Sequence, residues 1–420
     1  ALTRDCLEYA LENLTNFETG VIPPLTFGPN SRQGTRAVGL GMVTPDGVVT
    51  LRGFEEISTD VVVAAPACDV GGAAPGVTAD TVKLGTTTPL TGPAGFAGVP
   101  AIDAQNWWFD KVNAAGGVQG RQIEMVALDD AYDPGLAQEN VRRLEEQEKI
   151  FAISGSVGTP NFVGILPYID EHVIPSIGPY APSNQVGVME NPHVWMIWTN
   201  FVDELIPTID YIIKEKGART FGGISVRGDL VDDTRNGILG GLALNGLPEE
   251  NLVAMIPYDG GTTDFTGIAQ EFKNSGADYL VFTMNSPDVP VLIRAVRAIG
   301  YDPGLSGISD LLDKSFVEEF GELENGLIAP SKIANLETSD DPLVKEFVDA
   351  WVADFGDTPS SWNTVGYAQA RVTVEALQNA PALTRDCLEY ALENLTNFET
   401  GVIPPLTFGP NSRQGTRAVG

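Results

Sequence analysis

"FAISGSVGTPNFVGILPYIDEHVIPSIGPY" occupies residues 151–180. "FAISGS" (151–156) is an apolar run of strand length. "TPNFVGILPYIDEHV" (159–173) opens on Thr159-Pro160 and then places apolar residues at helical spacing. "IPSIGPY" (174–180) returns to a strand. Strand, helix and strand in so short a space make a βαβ unit, which predicts a parallel sheet.

The rhythm extends both ways. Upstream, "TVKLGTTTPL" (81–90) and "RQIEMVALDD" (121–130) read as strands. "AIDAQNWWFDKVNAAGG" (101–117) reads as a helix with a Gly-Gly stop, and "DPGLAQENVRRLEEQEKI" (133–150) as a helix with an Asp cap. Downstream, helices at 202–217, 231–246, 263–276 and 288–300 alternate with strands at 220–228, 252–261 and 278–285. Two such series predict two similar α/β lobes. Outside them, "RAVGLGMVTPDGVVTLRG" (36–53) reads as a hairpin around Pro45-Asp46-Gly47. "STDVVVAAPACDVGGAAPG" (58–76) is linker-like in its small residues and prolines.

The chain has 420 residues, 43% of them hydrophobic, enough for two or three domains. Acids outnumber bases 56 to 25, for a formal charge of −31. That field repels phosphate backbones and anionic membranes and is read as a solubility device. No apolar run is long enough to span a bilayer, and no signal peptide opens the chain. Cysteines occur at Cys6, Cys68 and Cys387, and the two histidines are His172 and His193, a poor set for zinc. No cofactor motif is present.

Residues 1–39 and 382–420 are identical, at a distance of 381 residues. One unit therefore carries two cysteines, as free thiols or as one disulfide.

Three stretches carry a family likeness: "NAAGGVQGR" (113–121), "DDAYDP" (129–134) and "GSVGTPNFVGILPYIDEHVIPSIGPYAPS" (155–183). In this order they resemble type I periplasmic solute-binding proteins, nearest the branched-chain amino acid (Leu/Ile/Val) binding family of ABC transporters. The first two are also ordinary turn chemistry. The third sits at the carboxyl end of parallel strands, where ligands bind.

The resemblance implies two Rossmann-like lobes with mostly parallel sheets, joined by a hinge. It assigns 78–200 plus 306–381 to the first lobe and 201–305 plus 1–57 to the second, with 382–420 standing in for the duplicated part. Residues 58–77 then join the natural termini. Because the family's closing elements stand first here, the chain reads as circularly permuted or cut from a tandem repeat. Two copies then compete for one slot, with a domain swap as one result.

It further implies a small organic ligand, an amino acid or related carboxylate or amide, held between the lobes and passed to an ABC permease outside the cytoplasm. The implied contacts in the first lobe are Phe96, Ser156, Val157, Gly158, Thr159, Tyr180 and Ala181, with Trp198 and Asn200 at the crossing. In the second lobe they are Asp229, Leu230, Thr262 and Asn285, with Asp310 near the hinge. Thr262 stands where amino-acid binders of the family carry the acid for the ligand ammonium, and Leu230 where they carry a tyrosine. Asp229 or Asp310 would have to replace that acid; otherwise the ligand lacks an ammonium. Cys68 is a lipidation cysteine or the partner of Cys6 or Cys387 in a disulfide.

Two other classes compete. A receptor ectodomain shares the fold but needs a membrane helix. A hydrolase needs a nucleophile elbow, and "SGSVG" (154–158) has Ser154, after Ile153, where the elbow requires glycine.

Overall fold

A computed structural model describes residues 37–44, 47–56, 68–72, 74–228, 230–312 and 321–418. Cys6, the Pro45-Asp46 turn, Asp229 and nearly all of the copy at 1–39 lie outside these residues. The chain forms two compact units, residues 1–69 with 409–412, and 70–408 with 413–420.

In the smaller unit, β1 (Ala37–Thr44) pairs antiparallel with β2 (Gly47–Glu56), Thr44 facing Gly47. This is the expected hairpin.

The larger unit contains two parallel sheets. Five strands, β3 (Thr81–Thr88), β4 (Gln122–Asp129), β5 (Ala152–Ser154), β6 (Ser176–Ile177) and β7 (Val194–Trp195), lie in the order β4-β3-β5-β6-β7. Every neighbouring pair is parallel. The crossover helices are α1 (Gly95–Ala114), α2 (Pro134–Arg143) and α3 (Thr159–Glu171). Asp133 caps α2 by accepting the Leu136 N–H at 2.9 Å, as its position before Pro134 predicts.

The second sheet contains β8 (Phe221–Val226), β9 (Leu252–Tyr258), β10 (Tyr279–Thr283) and β11 (Gly304–Gly307), in the order β11-β10-β8-β9. Helices α4 (Phe201–Lys216) and α5 (Leu230–Leu244) pack with one core, which contains Leu205, Ile209 and Ile238. Helices α6 (Thr266–Ser275) and α7 (Val289–Ala298) pack with another, which contains Phe272, Leu292 and Phe282. Strands buried on both faces read as near-continuous apolar runs, and "YLVFT" is one.

Three more helices, α8 (Pro342–Phe355), α9 (Ser361–Asn379) and α10 (Arg385–Glu393), join the core of the five-stranded lobe. Trp107 packs there at 5.2 Å from Trp351, as core rather than ligand wall.

The expected division of the lobes changes at two places. β11 pairs with β10, and Leu305 and Leu311 belong to the second lobe's core, so residues 304–312 are second-lobe. Of the copy at 382–420, residues 383–408 belong to the first lobe. Leu388, Leu392, Val402 and Leu406 are all fully buried in its core. Arg385 fastens this segment, donating to the carbonyl oxygens of Ile150 and Phe151, each at 2.9 Å, and to Glu145 at 2.7 Å. The chain returns from second lobe to first over residues 328–334: the Ile328 N–H donates to Leu305 O, and the Ala334 N–H to Val402 O.

Cys68 and Cys387 are each disulfide-bonded. No described helix is long and apolar enough to cross a membrane.

Candidate functional site

Parallel strands end on turns that deliver side chains to one edge of each sheet. Here the carboxyl ends of both sheets contribute to one cavity of about 90 Å³.

From the first lobe, the start of α1 supplies Phe96, the turn after β4 supplies Tyr132, the turn after β5 supplies Val157 and Gly158, and the start of α3 supplies Thr159. Tyr132 has φ 64, a left-handed conformation, and its N–H donates to Asp130 Oδ1 at 2.9 Å. Asp130 also accepts from the Thr87 hydroxyl at 3.0 Å. Burial pushes its carboxyl up to about 6, against the pull of those two bonds. The Tyr132 ring fills the space beside Gly158, where a Cβ would come within 2.8 Å of it.

Gly158 has φ 118 and precedes α3, which no side chain caps. The first N–H groups of a helix have no intrahelical acceptor, and together they favour an anion. The Gly158 N–H donates to Tyr180 O at 3.1 Å, so it is Thr159, the first residue of α3, that presents the positive end of the helix to the cavity.

Tyr180 forms the floor. Its ring meets Trp198 and Trp362 edge-on, each at 5.0 Å. Its hydroxyl donates to Asp310 of the second lobe. Burial, then the charges of Asp310 and Glu204, hold the phenol well above its ordinary range.

From the second lobe come Val226, Leu230, Thr283, Met284, Asn285, Ile308 and Asp310. The Asn285 N–H donates to the Tyr258 oxygen at 3.0 Å, and the Tyr258 hydroxyl to Asp288 at 2.9 Å, which fixes that turn.

Of the expected contacts, Phe96, Val157, Gly158, Thr159, Tyr180, Leu230, Asn285 and Asp310 line the cavity. Ser156, Ala181, Trp198, Asn200 and Thr262 do not, and each has a structural reason. The Ser156 hydroxyl donates to Thr87 O at 2.7 Å. Ala181 is fully buried in the first-lobe core. Trp198 backs the Tyr180 ring and donates to Gly178 O at 3.2 Å. Asn200 caps α4, accepting the Asp203 N–H at 2.9 Å. Thr262 turns its hydroxyl to Asp259 O at 2.5 Å.

Sequence reading missed Tyr132, Pro182, Phe201, Val226, Thr283, Met284, Ile308 and Trp362, among others. The turn "DDAYDP" carried the one usable signal, an aromatic residue at the end of a parallel strand.

A larger cavity of about 970 Å³ lies along residues 331–337 and 401–404 and shares Tyr180, Asp310 and Trp362 with the first. The strand ends and the uncapped helix converge on the smaller one, which is therefore the candidate site. Among the described residues no cluster of His, Cys, Asp and Glu could hold a metal.

The family model for "Periplasmic binding protein" matches residues 81–419 as one span, which takes in the copy at 382–420 and requires no permutation. A curated relative is Leu/Ile/Val-binding protein homolog 7 of Brucella abortus (strain 2308), 25% identical over 346 residues, covering 79% of this chain and 84% of the relative. Two solved structures share the fold. A "possible leucine/isoleucine/valine-binding protein" of Rhodopirellula baltica SH 1 has a TM-score of 0.74 at 24% identity, covering 83% of this chain and 95% of its own. A fatty acid ABC transporter substrate-binding protein of Thermomonospora curvata has a TM-score of 0.74 at 23% identity, covering 83% and 89%.

Proposed function

The chain belongs to the periplasmic binding protein family, and from that premise we propose that it captures a small carboxylate with an apolar body between its lobes and delivers it to an ABC transporter permease. It is a binding protein, not an enzyme, and its family places its work in the periplasm or outside the cell. The observation that carries the ligand reading is the uncapped N-terminus of α3, set in a cavity whose other walls are mostly apolar and aromatic. The Thr159 hydroxyl and the free N–H groups at the start of α3 hold the carboxylate, while Phe96, Tyr132, Tyr180 and Leu230 enclose the apolar body.

A lipid anchor on Cys68 is not part of this reading, because its sulfur is disulfide-bonded. Residues 1–39 repeat the segment that fills the first-lobe slot, so we extend the proposal to self-association by exchange of that segment. A strictly monomeric elution profile at high concentration would exclude the exchange.

A thermal-shift panel of aliphatic and aromatic carboxylates, amino acids, amides, amines and sugars tests the ligand class. A ligand at ~100 times its Kd stabilises the fold by about 2.7 kcal/mol. Hits are expected among carboxylates with an apolar body. Hits confined to sugars or to amines without a carboxylate would refute the reading.

A further inference from the structure

Lys332 lies on the crossing segment with its side chain 2% exposed. Its ammonium is 2.7 Å from Glu204 Oε1 on α4 and 3.5 Å from Asp310 Oδ1. The same Nζ sits over two aromatic faces, 4.7 Å from the Tyr180 ring centroid and 5.2 Å from that of Phe201. Tyr180, Phe201 and Asp310 all line the ligand cavity, while Lys332 lines the larger cavity behind them.

Two ring faces and two carboxylates around one point make a cation site. In this protein the chain's own ammonium fills it. The acids have partners from the chain as well. Asp310 Oδ1 accepts from the Tyr180 hydroxyl, with the Ser309 hydroxyl at 3.4 Å, and Glu204 Oε2 accepts the Ser309 N–H at 3.0 Å. A ligand ammonium on the cavity side of Asp310 would stand beside Lys332. Two unit charges ~5 Å apart at an effective dielectric of ~20 repel by an amount worth roughly a few hundredfold in affinity, which offsets the pull of Asp310 on that ammonium. The alternative acid position is Thr262, a hydroxyl already turned to Asp259 O.

We propose that Lys332 is a specificity-determining residue: it occupies the cation site in the ligand's stead, so the cleft selects carboxylates that carry no ammonium. The proposal rests on the carboxylate reading given above.

Matched pairs that differ only in the amino group test it: leucine against 4-methylpentanoate, and phenylalanine against 3-phenylpropanoate. Dissociation constants are measured by calorimetry on the full chain, on Lys332→Arg, and on the double variant Lys332→Met with Glu204→Gln. The double variant removes the cation together with the buried acid it pairs with, and leaves Asp310 beside an empty cage. The parent should favour the amine-free member by tenfold or more in at least one pair. Lys332→Arg should keep that preference, and the double variant should shift it toward the amino acid by tenfold or more. A parent that binds the amino acid equally well or better overturns the proposal and leaves the cleft reading standing. An unchanged ratio in a folded double variant also overturns it. Binding of no member of either pair by the parent refutes the carboxylate reading and this proposal with it. Where the double variant fails to fold, the parent's ratio decides.

Discussion

One methyl group at position 158 tests the cleft wall from two directions. Gly158 has φ 118 and ψ 109, a conformation that side-chain-bearing residues enter at a cost of about 1–3 kcal/mol. An added Cβ would also lie 2.8 Å from Tyr132 Cε2 and 3.3 Å from Cδ2, so the ring must leave the wall. Together these should destabilise Gly158→Ala by roughly 2–4 kcal/mol. The backbone part is intrinsic to the residue, whereas the contact part belongs to the pair. Tyr132→Ala in the same chain should therefore recover about 1 kcal/mol, measured as the coupling energy of a double-mutant cycle in urea unfolding. Calorimetry with a carboxylate from the panel should show at least a tenfold loss of affinity for Gly158→Ala, because the wall and the approach to α3 change together. An additive cycle, or a Gly158→Ala protein that melts and binds like the parent, would refute this account of the wall.

The two copies of the duplicated segment should respond unequally to the same change. Arg385→Ala removes bonds to Glu145, Ile150 and Phe151 and should lower stability by about 2–4 kcal/mol, whereas Arg4→Ala should leave thermal unfolding of the dilute monomer, where no exchange occurs, unchanged. Equal effects would show that the first copy fills the slot as well. Asp130, held near 6 against an ordinary 3.8, keeps its proton longer in the folded state. Its contribution is therefore most favourable below about pH 4 and falls as pH rises through 6, by up to ~3 kcal/mol. Asp130→Asn should flatten that fall in unfolding curves taken from pH 4 to 7. His193 is raised by its hydrogen bond to Glu389 at 2.7 Å, and burial opposes this. Its stabilisation is present below the ordinary histidine range and is lost as pH rises through the raised value, so Glu389→Gln should abolish that loss in unfolding curves taken from the ordinary histidine range upward.

Helix periodicity and caps made the α/β rhythm legible, down to Asp133 before Pro134. Elements without such signals were not. β7, Val194–Trp195, is too short to show a period, and β11 reads "GLSG", without the β-branched pattern of a strand. The letters of "CLEYALENL" show that a helix buries Leu388 and Leu392 but not which lobe receives them, because amphipathicity specifies a face and no partner.

The site divides along the same physical line. Gly158 and Thr159 were readable because parallel strands must end where a helix begins. Tyr132 was not, although its turn was recognised as capping chemistry. The Asp130 carboxylate that takes its N–H is part of the same turn that holds the residue at φ 64, with its ring against Gly158. One hydrogen bond thus both closes a turn and builds a wall, and only the second effect depends on tertiary structure. Lys332 is the extreme case. Its partner Glu204 is 128 residues away, and nothing periodic surrounds it. A buried ion pair has no local signature, since each charge taken alone reads as surface. If Lys332 sets the ligand class, then a family likeness carried by turns and strands predicts the fold and the place of binding. The charge of the ligand is decided elsewhere, by a residue that no motif contains.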